Sequence, residues 1–238
     1  MTTHTVTSHP VRSDVPAPGP HDAPAGGRST RWALAGLASG IAGAGAIISS
    51  LMVSAIYDED LKGDTAGQAE KLADEIPQLV TFHTLAGISA VLMVVFAAGL
   101  YRRLRSTAPE SVAPMVAFSG LFGTAIILML GAGLDTEFMF GLDQGVTDPA
   151  NAVFYAHWIA TIPWVWGLVG LSGLAVFAVA RAGGVPRWLG LVGLLGGGLT
   201  LLLGISPLQY MAGFTGPIGV IVVALGFLLG DKAFRSGS

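Results

Sequence analysis

Long apolar blocks alternate along the chain with short polar connections. Six blocks reach membrane-spanning length, at about 32–56, 78–101, 112–135, 151–180, 187–206 and 212–230. At 1.5 Å of rise per residue, roughly 20 apolar residues cross a hydrocarbon core of ~30 Å as a helix. The pattern predicts an all-α polytopic membrane protein, a six-transmembrane-helix bundle over residues 31–235. The fourth block exceeds one membrane thickness and is accommodated by tilt or by a bend at Pro163. "DTAGQAEKLADEI" (64–76) predicts a short outer helix with Asp64 as its N-cap, leading into the second span. Residues 1–30, with "SDVPAPGPHDAPAGG", cannot bury enough apolar surface to offset their ordering entropy and read as a disordered cytoplasmic tail. That stretch is too long and too proline-rich for the basic region of a signal peptide. His4, His9 and His21 are scattered in it without metal-ligand spacing.

In lipid, an inward face is read from small and polar residues rather than from apolar ones. His83, Ala86, Gly87, Ala90 and Ala97 share a stripe of the second helix. Gly120, Thr124, Gly131 and, if the helix continues, Asp135 share one on the third. Gly190, Gly193, Gly197 and Gly204 mark the fifth, and Gly219, Val223, Gly226 and Gly230 the sixth. On the fourth, His157, Thr161, Trp164 and Leu168 fall at i, i+4, i+7 and i+11, which predicts that His157 faces the bundle.

Composition agrees with this class. Charged residues make up 11% of the chain, against about 25% in a soluble domain. There is no cysteine, which removes disulfides, thiolate metal sites and cysteine nucleophiles. Ten of the 12 Lys and Arg residues fall in the tail, before the first span, after even-numbered spans or after the last one, leaving only Lys62 and Lys71 in the acidic connections. By the positive-inside rule this predicts a multi-pass plasma-membrane protein with both termini cytoplasmic and two acidic loops outside.

Three ionisable residues then stand out. His83 lies about 27 Å from the cytoplasmic edge, and Asp135 and His157 each about 32 Å, by helical rise. All three fall in the outer third of the membrane, while Glu137 points roughly 160° from Asp135 towards headgroups or water. An ionisable group inside the membrane is a functional candidate by default. One reading is a bound metal or haem. His83 and His157 would then supply axial imidazoles, or join Asp135 in a two-histidine, one-carboxylate set for a divalent metal, with Thr161 and Trp164 lining the site. A second is an enzyme using Asp135 as acid and His157 or His83 as base on a lipophilic substrate such as a prenyl chain or lipid. In it Tyr155, Trp158, Trp164 and Trp166 could stabilise a cation through their rings. A third is structural: neutral imidazoles satisfied by Thr81, Thr84 or Thr161, with the aromatics as an interfacial belt. The nearly apolar central third of every span argues against an ion pathway. No phosphate-binding loop, zinc-protease motif or nucleophile elbow occurs, and no basic aromatic groove for nucleic acid. A binding protein with an outer-leaflet pocket for a metal, haem or lipophilic small molecule is the reading these residues favour.

The segment "PRWLGLVGLLGGGLTLLLGISPLQYMAGFTGPIGVIVVALGFLLG" resembles the closing helix pair of small multi-pass actinobacterial membrane proteins of unknown function. The likeness rests on its Pro-Arg-Trp-Leu-Gly entry and glycine spacing. It implies a compact bundle and assigns no activity.

Overall fold

The computed structural model describes residues 30–231; the tail, its histidines, Lys232 and Arg235 lie outside the described residues. Six helices are long and apolar enough to cross a membrane: Arg31–Leu51, Ile76–Arg105, Ala113–Asp143, Pro149–Arg181, Arg187–Ile205 and Gln209–Gly230. Among the described residues there is no strand. The chain is a multi-pass α-helical membrane protein. One end of the bundle carries the acidic connections and is called the acidic end; the other carries Arg102, Arg105, Arg181 and Arg187 and is the basic end.

The fourth span runs through the middle. It packs on the third, fifth and sixth, while the first joins the second to the sixth. The fifth is peripheral, held mainly against the fourth and sixth. Small residues make these contacts, because without a hydrophobic force between helices in lipid, close backbone approach must supply the packing. A Cβ on Gly170 would stand 2.5 Å from the Gly197 carbonyl oxygen, and one on Gly204 would stand 2.7 Å from the Gly167 Cα. The first and second spans exchange hydrogen bonds, Ser39 Oγ to the Ser89 carbonyl (2.8 Å) and Ser89 Oγ to the Ser39 carbonyl (2.9 Å). Ser172 Oγ donates to the Ala117 carbonyl at 2.8 Å between the fourth and third.

Pro163 sits in a 3₁₀ stretch, Ile162–Leu168, that divides the fourth span. A proline removes one backbone donor, and tighter winding absorbs the loss. The first helix stops at Leu51, short of the expected 56. There the chain is turned by Glu75, whose buried carboxylate accepts from the Ser54 N–H (2.9 Å), Ser54 Oγ (2.7 Å) and the Ala55 N–H (3.3 Å). The third helix runs on to Asp143, because "TEFMFGLD" contains no proline and the left-handed turn comes only at Gly145, where φ reaches +64°. The short helix Thr65–Asp74 is capped by Asp64, which accepts from the Gly67 N–H at 3.0 Å. It packs across the ends of the third and fourth spans, seated by the fully buried Leu72.

Candidate functional site

At the acidic end the second, third and fourth spans bring together His83, Asp135 and Tyr155. Asp135 continues the buried stripe of Gly120, Thr124 and Gly131 and is 0% exposed. Tyr155 Oη donates to Asp135 Oδ1 at 3.2 Å. Its ring lies flat on Phe138, with centroids 4.5 Å apart and planes within 2°. Phe138 is one turn beyond Asp135, so the third span supplies both the ring that seats Tyr155 and the carboxylate that receives its hydroxyl. From the second span, His83 places Nδ1 3.9 Å from Asp135 Oδ2. Its side chain is one-third exposed, so the imidazole bridges the surface and the buried carboxylate.

Neither His83 Nδ1 nor Asp135 Oδ2 has a hydrogen-bond partner. Trp158 Nε1 and Gln78 Oε1 are likewise buried and unpartnered, and these four are the only such side-chain atoms among the described residues. All belong to the acidic-end portions of the second, third and fourth spans. A buried donor or acceptor left without a partner costs about 1–3 kcal/mol. The structure therefore concentrates its unmet polar demand at the acidic end, where Asp135 has no Lys or Arg within ion-pair distance among the described residues.

The fourth span differs from the sequence expectation in phase. Tyr155, Ile159, Ile162 and Trp166 form its buried stripe, all at most 3% exposed. His157, Thr161 and Leu168 lie on the exposed side, and Trp164 is half-buried with its ring edge-on to Trp158. Both stripes have the same i, i+4, i+7, i+11 spacing, displaced by two residues, which rotates the helix by roughly 200°. Bulk decides between them. Trp166 fills the space left by Gly43 and Gly216, and Tyr155 reaches Asp135. Thr161 Oγ1 donates only to carbonyls of its own helix, those of His157 (3.0 Å) and Trp158 (3.3 Å). Among the described residues no three His, Asp or Glu side chains form a group able to hold a metal ion. The expected set of His83, His157 and Asp135 is thus corrected: His83 and Asp135 meet, His157 faces outward, and Tyr155 takes the third place. With His157 on the exposed face, the described residues bring no second imidazole beside His83 for bis-histidine haem ligation. Thr81, suggested as a partner for an imidazole, instead donates to the Pro77 carbonyl at 2.8 Å.

The basic end holds a buried ion pair that the hydrophobic pattern does not predict. Arg103 is buried, with Nε 2.8 Å from Asp231 Oδ2 and Nη2 2.5 Å from Oδ1. Nη2 also donates to the Gly184 carbonyl at 3.1 Å. The second span, the sixth span and the connection between the fourth and fifth are joined at this one guanidinium. The only trace in the sequence is an Asp after an apolar run, which carries no address for its partner.

No protein-family model matches the chain, and no curated protein or solved structure matches it.

Proposed function

We propose that the acidic end faces outward, with both termini on the cytoplasmic side of the plasma membrane. We further propose that His83, Asp135 and Tyr155 form an outer-leaflet site for a lipophilic small molecule whose head group donates a proton or carries a positive charge. The observation that carries this reading is the buried Asp135 carboxylate, whose Oδ2 has no hydrogen-bond partner and which has no guanidinium or ammonium beside it among the described residues. A hydroxyl or ammonium head would donate to Asp135 Oδ2, while the partly exposed His83 can donate or accept according to its tautomer. A carboxylate head would meet a second negative charge. The positive-inside rule supports the orientation, with two Lys against ten Lys and Arg.

Dodecylamine, dodecanol and dodecanoate have equal chain length and differ only in the head. In detergent-solubilised protein, the amine and the alcohol should bind saturably and the carboxylate should not. Asp135→Asn should weaken the amine by about tenfold or more, the equivalent of one charge-assisted hydrogen bond. Equal binding of all three heads, or an amine affinity unchanged by Asp135→Asn, contradicts the reading. The acid–base enzyme is the second reading, favoured by the His83–Asp135 approach. It places His83 rather than His157 beside the acid, and chemical conversion of a bound amphiphile would select it.

Orientation is tested separately. Cysteines at the exposed positions Asp64 and Asp143 should react with an impermeant thiol reagent in intact cells, and one at the exposed Arg102 should not. Arg103 is unsuitable for this purpose because it is buried in the ion pair. External labelling at Arg102→Cys overturns the orientation.

A further inference from the structure

A cavity of about 380 Å³ lies among the second to sixth spans, apart from the His83–Asp135 site. It extends from Leu100 and Val223 up to Thr200 and Thr215, about 8 to 20 Å above the basic end by helical rise. That range covers the middle of the hydrocarbon core and the half nearer the basic end. No charged residue lines it. Its polar atoms are hydroxyls already committed to one another or to the backbone: Thr200 with Thr215 (2.9 Å), Thr200 to the Gly196 carbonyl (2.8 Å), and Ser172 to the Ala117 carbonyl.

The glycines divide here into two kinds. Gly193 and Gly197 touch the fourth span, whereas a Cβ on Gly196 or Gly219 would meet nothing within 4 Å. The fifth span winds as a π-helix over Gly193–Gly197, and such wide turns are rare and frequently mark functional positions. The wide turn thus lets one segment pack by Gly193 and Gly197 while Gly196 leaves its space open. Leu195, Leu199 and Ile218 line the cavity and are also exposed at the lipid-facing surface. The cavity therefore opens sideways, between the fifth and sixth spans, at a depth where the surrounding medium is hydrocarbon.

We propose that this cavity takes one hydrocarbon chain of a membrane lipid, entering laterally between the fifth and sixth spans. The wall chemistry excludes a charged occupant, since a desolvated charge would find no counter-ion. Taking roughly 30 Å³ per methylene, similar to a water's share of liquid volume, the space holds about a dozen methylenes, part of one chain. The site goes beyond the His83–Asp135 reading and stands independently of it.

The test uses the full chain in phosphatidylcholine vesicles containing a trace of phosphatidylcholine with a diazirine at mid-chain. After illumination, mass spectrometry should find label on the buried residues Phe96, Thr200 and Val223 as well as on the surface residues Leu195 and Leu199. Gly196→Leu and Gly219→Leu grow into open space, so both should fold. Each should reduce the buried labelling by about tenfold while surface labelling persists, which also verifies insertion. Absence of label on the buried residues in wild type overturns the proposal, whether because a side chain of a second copy fills the cavity or because it closes. Buried labelling unchanged in both filled variants overturns it equally.

Discussion

Of the three carboxylates buried among the described residues, Asp231 and Asp135 lie at opposite ends of the bundle, and their surroundings differ in kind. Asp231, at the basic end, is gripped by two nitrogens of Arg103, which in turn satisfies the Gly184 carbonyl. Asp135, at the acidic end, receives one hydroxyl and faces an imidazole that stops 3.9 Å short. The first arrangement closes on itself and ties three parts of the chain together. The second leaves hydrogen-bonding capacity unspent beside a side chain that is one-third exposed. Burial alone therefore does not distinguish the clamp from the proposed site; what separates the two is whether the partners are complete.

The largest expected effect comes from opening the clamp. Arg103→Ala leaves Asp231 buried without its cation, a change that costs about 3–5 kcal/mol in buried pairs. Thermal unfolding in detergent should fall by roughly 10 °C, and Asp231→Asn combined with it should recover part of the loss. Next comes helix contact. Gly197→Leu forces a side chain against the Gly170 carbonyl and should cost about 1–3 kcal/mol, more than Leu201→Ala, as read by the same melt. Equal tolerance of the two would mean that the fourth and fifth spans are not held by glycine contact.

A smaller effect sharpens the comparison at the acidic end. Tyr155→Phe removes one 3.2 Å bond to Asp135 but keeps the ring on Phe138. It should cost about 0.6 kcal/mol in stability, the average for such contacts in membranes, while changing the order of head-group preference. The smallest effect lies in the connection after the first span. Lys71 donates to Asp58 at 2.8 Å, and this bond holds the Asp58 carboxyl below its ordinary range and the Lys71 ammonium above its own. A lowered acid contributes stability above about pH 4 and loses it as pH falls through the folded value. A raised base contributes below about pH 10 and loses it as pH rises through the folded value. Between pH 5 and 9 the pair should therefore impart no pH dependence to the melt, and Lys71→Ala should be nearly silent in a surface-exposed pair.

Much of this architecture was legible in the sequence because lipid imposes simple demands. Six blocks of spanning length, the Asp64 cap, the irregularity at Pro163 and the inward Gly120–Thr124–Gly131–Asp135 stripe follow from length, capping and small-residue spacing. Gly219 shows the limit of the last signal, since it shares a stripe with contact glycines yet opens onto the cavity. The phase of the fourth span was not legible. "FYAHWIATIPWVWGL" contains two equally spaced stripes, Tyr155–Ile159–Ile162–Trp166 and His157–Thr161–Trp164–Leu168, and the choice is made by neighbours: Asp135 for Tyr155, and Gly43 and Gly216 for Trp166. Local pattern cannot rank stripes that differ only in what lies opposite. The Arg103–Asp231 pair was hidden for the same reason, its members being separated by most of the described chain.

The most direct test of the contrast between clamp and site is a melting comparison of Asp135→Asn with Arg103→Gln in the same detergent. Asparagine has the shape of aspartate, can accept from Tyr155 Oη through its carbonyl, and offers an amide N–H towards His83 Nδ1. Asp135→Asn should melt at or above the wild-type temperature while losing its preference for the amine head, and Arg103→Gln should melt roughly 10 °C lower. A fall in Asp135→Asn as large as that in Arg103→Gln would make Asp135 a second structural clamp and contradict its role as a site.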